Sequence, residues 1–450
     1  MFAYGSSTLV LALFLSALGF SDTRIGLFMT LTLIGDVCIS LALTFVADAL
    51  GRRMILILGS VLMVLSGVVF ALSSNYWVLL FAAVFGVISP SGNEIGPFRA
   101  IEESTLAQLT DPKTRSDIFA FYVIVGTLGS ASGFLLSGWV TQSLQAQGWS
   151  EVASFRSMFW LYAFIGLIKT GITSLLSRRC EAEPTPPSRR SEDAEESQGF
   201  LARHSTSAPP PKKKTTSMSQ IPRNFWSTLA KLCTLFFVDS FGSGMVPNSL
   251  VVLFMYNKFQ IPEGSLGSIL AAASFASSLG NVFASSIAKR IGLVKTMVFT
   301  HLPSAIFLAL VPAPSSLILT VALLVARASL ASMDQAPRSA FLSAIVPSES
   351  RTAVMGIVNT VKTAGQSSGP LITGVLAENE RFWIAFVIAG SLKASYDLGM
   401  LRMFASTKLE GDRGGATDRA TSEDAHVAND QDIDNRELQD LNTVRSAPSK

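Results

Sequence analysis

Four ionisable side chains crowd one stretch of a chain otherwise built from apolar runs. GNEIGPFRAIEESTLAQLTDPKTR, starting at Gly92, carries Glu94, Arg99, Glu102 and Glu103. Charge at membrane depth is costly and marks a cavity, a buried partner or a path for ions. Arg99 stands three and four residues before Glu102 and Glu103, a spacing that permits pairing along one helix face. This trio reads as a gate at a helix end. Asn93 and Glu94 sit deeper, Glu94 about 27 Å along a helix that enters at Tyr76. They are placed to meet a solute or a proton; the alternative for Glu94 is a structural hydrogen bond inside the helix. Pro90 and Pro97 should loosen the helix around them.

A related passage, SMDQAPRSAFLSAIVPSESR, begins at Ser332. Arg327, Asp334 and Arg338 are spaced seven and four, so one helix face holds all three. Asp334 and Arg338 read as a second gate, and the deeper Arg327 as a site for an anionic group. Asp239 precedes SFGSGMVPN, whose glycines and proline suggest a bend beside a polar site; the alternative is an aspartate paired to a neighbouring helix. Lys169 and Lys393 are expected to snorkel, and His301 to be structural rather than a proton relay.

Other chemistries find no support. No Gly-x-x-x-x-Gly-Lys-Ser/Thr is present to bind ATP. No His/Cys cluster suggests a metal, no cofactor is implied, and no nucleophile–base constellation suggests an enzyme. The net charge of +3 is too small to suggest nucleic acid. Cys38, Cys180 and Cys233 form no visible disulfide framework. Cys180 reads as a free thiol, with palmitoylation beside the membrane as the alternative.

The elements that hold these groups are membrane helices. Only 15% of the residues are charged and 49% are hydrophobic, with mean hydropathy +0.43; ordinary soluble domains run near 25% charged. Apolar runs of about 20 residues recur along the chain, each long enough to cross the hydrocarbon as a helix. The pattern predicts twelve spans: 2–19, 24–47, 54–73, 76–106, 117–140, 154–176, 225–256, 266–288, 294–311, 315–345, 352–377 and 382–404. The first begins at once, as it would if an N-terminal stretch were missing. Lys and Arg gather in the loops after spans 2, 4 and 8 and between spans 6 and 7, which puts both termini in the cytosol. Residues 1–176 and 225–406 then form two six-helix bundles. The Ser-, Pro- and charge-rich segments 177–224 and 407–450 should be disordered cytosolic loop and tail.

The two bundles repeat each other. GSASGFLLSG from Gly129 aligns with GQSSGPLITG from Gly365 at an offset of 236 residues. The same offset carries Gly133 to Gly369, Phe134 to Pro370, Gly138 to Gly374, Thr127 to Thr363 and Arg115 to Arg351. Glycines at such spacing let helices approach closely, and a two-fold repeat of this size is the pattern of many transporters.

TFVADALGRR, from Thr44 to Arg53, resembles the Gly-x-x-x-Asp-Arg-x-Gly-Arg-Arg signature of the major facilitator superfamily. Asp48, Gly51, Arg52 and Arg53 match; Thr44 replaces the first glycine and Ala49 the basic residue. The stretch from Gly365 through Gly369 and Pro370 to Gly374 also looks like the superfamily's antiporter motif, although that motif normally falls in helix 5, where this chain has Phe134. The resemblance implies an all-α membrane fold of two pseudo-symmetric bundles, alternating access, and a cavity lined by helices 1, 4, 7 and 10. It implies that Asp48 docks at the start of helix 11; Arg52 or Arg53 is then expected to reach Glu102 or Glu103 in the outward-open state. Glu94 and Asp239, on cavity helices, become the candidates for carrying protons. Helix 2 packs on helix 11 in this superfamily, so Asp36 and Lys362, at matched depth, are expected as an ion pair in at least one state. The rival is a Lys362 that faces the cavity. The resulting expectation is a monomeric secondary transporter in the plasma or vacuolar membrane, exporting a small organic solute against protons. The alternatives are nutrient uptake and a non-transporting sensor.

Overall fold

The computed structural model describes residues 1–86, 88, 96–111, 114–177, 180, 225–346 and 351–404. The first half contains α1 (Phe2–Ala17), α2 (Asp22–Leu50), α3 (Arg52–Leu72), α4 (Tyr76–Gly86), α5 (Gly96–Leu109), α6 (Arg115–Ala146) and α7 (Glu151–Ser174). The second contains α8 (Trp226–Met245), α9 (Asn248–Phe259), α10 (Glu263–Ile291), α11 (Leu293–Leu310), α12 (Leu317–Ser332), α13 (Gln335–Ile345), α14 (Arg351–Glu378) and α15 (Phe382–Phe404). Asn93, Glu94, most of the central segment and the tail lie outside the described residues.

Two of the predicted spans are broken beside prolines, and a third is described as two separate helices. Span 4 divides into α4 and α5, with Pro97 in the first turn of α5, where a missing N–H costs nothing. Span 7 divides at Val246–Pro247, and α8 and α9 meet at a 41° bend. Span 10 divides at Met333–Asp334, because Pro337 in the first turn of α13 cannot donate back to Met333.

The loops that join α2 to α3 and α10 to α11 share one device. Gly51 and Gly292 precede α3 and α11 with φ of 83° and 89°. An L side chain is strained at such angles, which explains the glycine in each loop.

Packing follows the repeat. Within the halves α1 packs on α6 and α8 on α14; between them α2 packs on α14 and α10 on α6. A β-carbon on Gly133 would collide with the Phe2 carbonyl of α1, and one on its equivalent, Gly369, with the Gly244 backbone of α8. Gly138 and Gly374 lie against the opposite half, touching Gly267 of α10 and Gly26 of α2. Gly129 and Gly365, one turn earlier, face Phe2 and Phe237. Helices α6 and α14 are therefore wedged between their own half and the other.

The interiors of the halves differ. The first is aromatic: Phe14, Phe28, Phe70 and Phe159 are all buried, and the Phe70 and Phe159 rings lie 4.8 Å apart. The second half has a similar apolar stack around Phe254, Phe382 and Phe386, and beneath it a set of buried charges.

Candidate functional site

Four helices of the second half direct ionisable side chains at one point. Asp239 is in mid-α8 and 3% exposed. Its Oδ1 accepts from Lys393 Nζ of α15 at 2.9 Å, and its Oδ2 from Arg338 Nη1 of α13 at 2.8 Å. Lys393 also donates to Ser243 Oγ at 2.7 Å. The break before α13 makes Asp334 the residue ahead of its first turn, where its carbonyl accepts the Arg338 N–H at 2.8 Å and its carboxylate pairs with the Arg338 guanidinium.

His301 of α11 joins a third carboxylate to this group. Its Nδ1 lies 2.9 Å from both oxygens of Asp397, and its Nε2 lies 3.8 Å from Asp239 Oδ1. Lys393 and Asp397 are one turn apart on α15, so they share a face yet bind different partners. The Arg338 guanidinium sits 5.1 Å from the Tyr396 ring and 5.6 Å from the Phe236 ring. Lys362 Nζ of α14 lies 5.8 Å from the Phe236 ring. Taking these ions out of water is expensive, and only their mutual contacts offset it.

A cavity of about 370 Å³ lies between the halves, walled by α6, α9, α10, α12 and the start of α13. Arg327 is the one charged side chain among its described walls. The wall on α6, Tyr122 to Phe134, belongs to the part of that helix near Arg115.

The other end of the molecule is held shut by bonds between the halves. Glu378 Oε2 at the end of α14 accepts from the Thr23 N–H of α2 at 3.1 Å. Gln142 Oε1 on α6 accepts from the Gly264 N–H of α10 at 3.1 Å, and Gln145 Nε2 donates to Glu263 Oε1 at 3.1 Å. Ser249 Oγ of α9 donates to the Thr8 carbonyl of α1 at 2.8 Å, and the Leu371 N–H of α14 to Thr30 Oγ1 of α2 at 3.0 Å.

The sequence-derived residues fall into three groups. Asp239, Asp334 and Arg338 meet in one network. Arg327, expected on the same face as the last two, lines the cavity instead, because the break between α12 and α13 separates them. Lys393 does not snorkel: it is buried against Asp239. Lys169 likewise reaches an acid, Glu102 Oε1, at 3.0 Å, and Tyr122 donates to Glu102 Oε2 at 3.0 Å. Asp36 is half-buried on α2, and among the described residues neither it nor Lys362 takes part in an ion pair, so the expected contact is not formed in this conformation. Asp48 ends α2, but its side chain and that of Arg99 lie outside the described residues. Arg53 donates to the Ser174 carbonyl closing α7. Arg52 and Glu103 lie at the same end, at the starts of α3 and within α5.

His301, Lys393 and Asp397 were not singled out as a site from sequence. Their signal was present: α15 carries opposite charges four apart inside an apolar helix, as the Asp334–Arg338 segment does.

Comparison with known proteins decides the family. The model of the Major Facilitator Superfamily matches residues 1–238 and again 232–401. The chain belongs to the major facilitator superfamily. It is 36% identical over 410 residues, 90% of this chain and 91% of the other, to the uncharacterized membrane protein YJR124C of Saccharomyces cerevisiae. Among solved structures it is similar to the nucleoside transporter NupG, with TM-score 0.65 at 14% identity, covering 90% of this chain and 96% of that one. It is also similar to a bacterial homolog of the human lysosomal transporter Spinster in an inward-facing, occupied conformation, with TM-score 0.64 at 15% identity over 90% and 94% of the two chains. The Escherichia coli xylose transporter XylE in a partially occluded inward-open conformation gives TM-score 0.63 at 13% identity over 91% and 96%. Members of the superfamily with this fold are membrane transporters of small molecules, and the two halves and the cavity between them are the superfamily's arrangement in this chain.

Proposed function

We propose that the chain is a secondary active transporter that exports a small organic solute by alternating access, driven by protons. The cavity between the halves, shut at one end by bonds from Gln142, Gln145, Ser249 and Glu378, is the observation that carries this reading. The Lys- and Arg-rich loops put both termini in the cytosol. The shut end then faces away from the cytosol, and the cavity is reached from within. Export rests on the antiporter-like run from Gly365 to Gly374, which packs against both halves at once.

The proton belongs to the buried network. Asp239, Asp334 and Asp397 are three carboxylates, and Arg338 and Lys393 are the two cations in contact with them. One further positive charge closes the balance. Lys362 Nζ, 5.8 Å from the Phe236 ring, supplies it from within electrostatic reach of Asp239 and Asp334, and His301 touches Asp397 and faces Asp239. Asp397, tied to the network through His301, is the carboxylate on which this reading puts the coupling step. The transporter works as a monomer in the plasma or vacuolar membrane. Its moving halves are residues 1–176 and 225–406.

Flux in proteoliposomes with an imposed pH gradient tests the reading. Export coupling requires protons to move opposite to cargo. Protons moving with cargo would make it an uptake symporter, and no flux across a broad metabolite panel would favour a sensor. Asp397→Asn should abolish pH-driven accumulation while cargo exchange continues; unchanged pH dependence would remove the network from the coupling step.

A further inference from the structure

The second half contains two buried or half-buried arginines with opposite circumstances. Arg338 is saturated by Asp239 and Asp334. Arg327, eleven residues earlier, has no carboxylate among the described residues; the bond recorded for it is its backbone carbonyl accepting from Ser304 Oγ at 3.1 Å. Its side chain faces the cavity. Among the described residues, two acids on neighbouring helices are engaged elsewhere: Glu102 by Lys169 and Tyr122, Asp334 by Arg338.

A guanidinium at membrane depth is costly unless something pairs with it. It presents a planar fork of donors that matches a carboxylate, sulfonate or phosphate group in two parallel bonds. The remaining wall is neutral. Asn248, Asn281 and Thr127 supply hydrogen-bonding groups, and Val251, Leu270 and Leu324 supply apolar surface. About 370 Å³ lies within the range of small-molecule sites. Among the described wall residues none is an acid that could hold a cationic solute.

Resting on the transport reading above, we propose that the solute is an organic anion whose charged group docks on Arg327, with its uncharged part against α9, α10 and α12. The charge of the cargo is then set by a residue separate from the proton-carrying network, one helix away from it.

Thermal unfolding of the purified full chain tests the site. The probes are phenylacetate, benzenesulfonate and phenyl phosphate, each beside a neutral partner: phenylacetamide, methyl phenyl sulfone and benzyl alcohol. At least one anion should raise Tm where its neutral partner does not. Arg327→Gln should weaken that binding tenfold or more. Arg327→Lys keeps the charge and should weaken it several-fold through loss of the paired bonds. Ala273→Trp keeps Arg327 but fills the cavity, and should also remove binding. Neutral or cationic probes that stabilise as well as anions, anion binding unchanged in Arg327→Gln or Arg327→Lys, or a folded chain that no anion stabilises would each overturn the proposal. Flux separates this from the transport reading. Transport of neutral solutes alone would refute the anion site and leave transport standing, whereas an anion bound through Arg327 but never moved would refute transport and leave the site.

Discussion

Gln142 and Glu378 hold the same position in the two halves, 236 residues apart, and each accepts a backbone N–H from the second residue of a helix in the opposite half. The donors, Gly264 of α10 and Thr23 of α2, have no partner within their own helices, as every first-turn N–H lacks one. An oxygen there satisfies the donor and meets the positive end of the helix dipole. The shut end of the molecule is thus fastened twice by one device.

Removing either fastening should favour opening at that end. Gln142→Ala should cost about 1 kcal/mol, roughly a fivefold change in the ratio of closed to open molecules. Glu378→Ala should act in the same direction, and the double variant should exceed either. Labelling of a cysteine introduced at Ser268 by a membrane-impermeant maleimide reads the change; equal labelling in all four proteins would show that these bonds do not hold the end shut.

Bulk at the helix crossing should do more. Gly374→Leu forces α14 away from α2 and should destabilise the shut conformation by about 1–3 kcal/mol. A β-carbon at Gly356, on the same helix, meets nothing within 4 Å. Gly356→Leu should therefore leave Tm and labelling unchanged. Similar damage from both substitutions would mean that the crossing is not what Gly374→Leu disrupts, since leucine is the better helix former at either position.

Breaking the buried network should be severe and partly reversible. Lys393→Met leaves Asp239 with one cation fewer in a dry site, and removal of one member of a buried pair costs about 3–5 kcal/mol. Adding Asp239→Asn should recover part of the loss in thermal stability. A double variant no better than Lys393→Met would mean that the two side chains are not coupled.

Asp36 and Lys362 should behave independently. Lys362 sits by Phe236 in the second half, and among the described residues no ion pair joins it to α2. A double-mutant cycle on Asp36→Asn and Lys362→Met should give a coupling under about 0.5 kcal/mol. A larger value would place the two charges together in another conformation.

The positions of the helices were legible from the apolar runs, and the two-fold repeat from GSASGFLLSG and GQSSGPLITG, because both depend on local pattern. The breaks at Pro247 and Pro337 were partly legible: the prolines are plain, but a bend and an interruption differ only in how neighbouring turns settle. The buried network was legible one residue at a time. Helical period puts Lys393 and Asp397 on one face of α15, yet which helix that face meets is a matter of tertiary packing. A lysine in an apolar helix is equally consistent with reaching the headgroups and with reaching Asp239. Arg327 and Arg338 separated for a similar reason, since a break of two residues turns a shared face into two.

The asymmetry between an aromatic first half and a charged second half bears on how the chain is made. Asp239 leaves the ribosome 154 residues ahead of Lys393. It enters the bilayer on α8 with none of its partners yet synthesised, and His301, Arg338 and Lys393 follow on later helices. Asp239 alone inserts with no partner to neutralise it. The first half can settle as its own helices emerge. The second must wait for α15, the last to be translated, before Asp239 and His301 are fully matched. A chain that ends before Phe382 leaves Asp239 without Lys393 and His301 without Asp397. Insertion of α15 is thus the step that neutralises the interior of the second half.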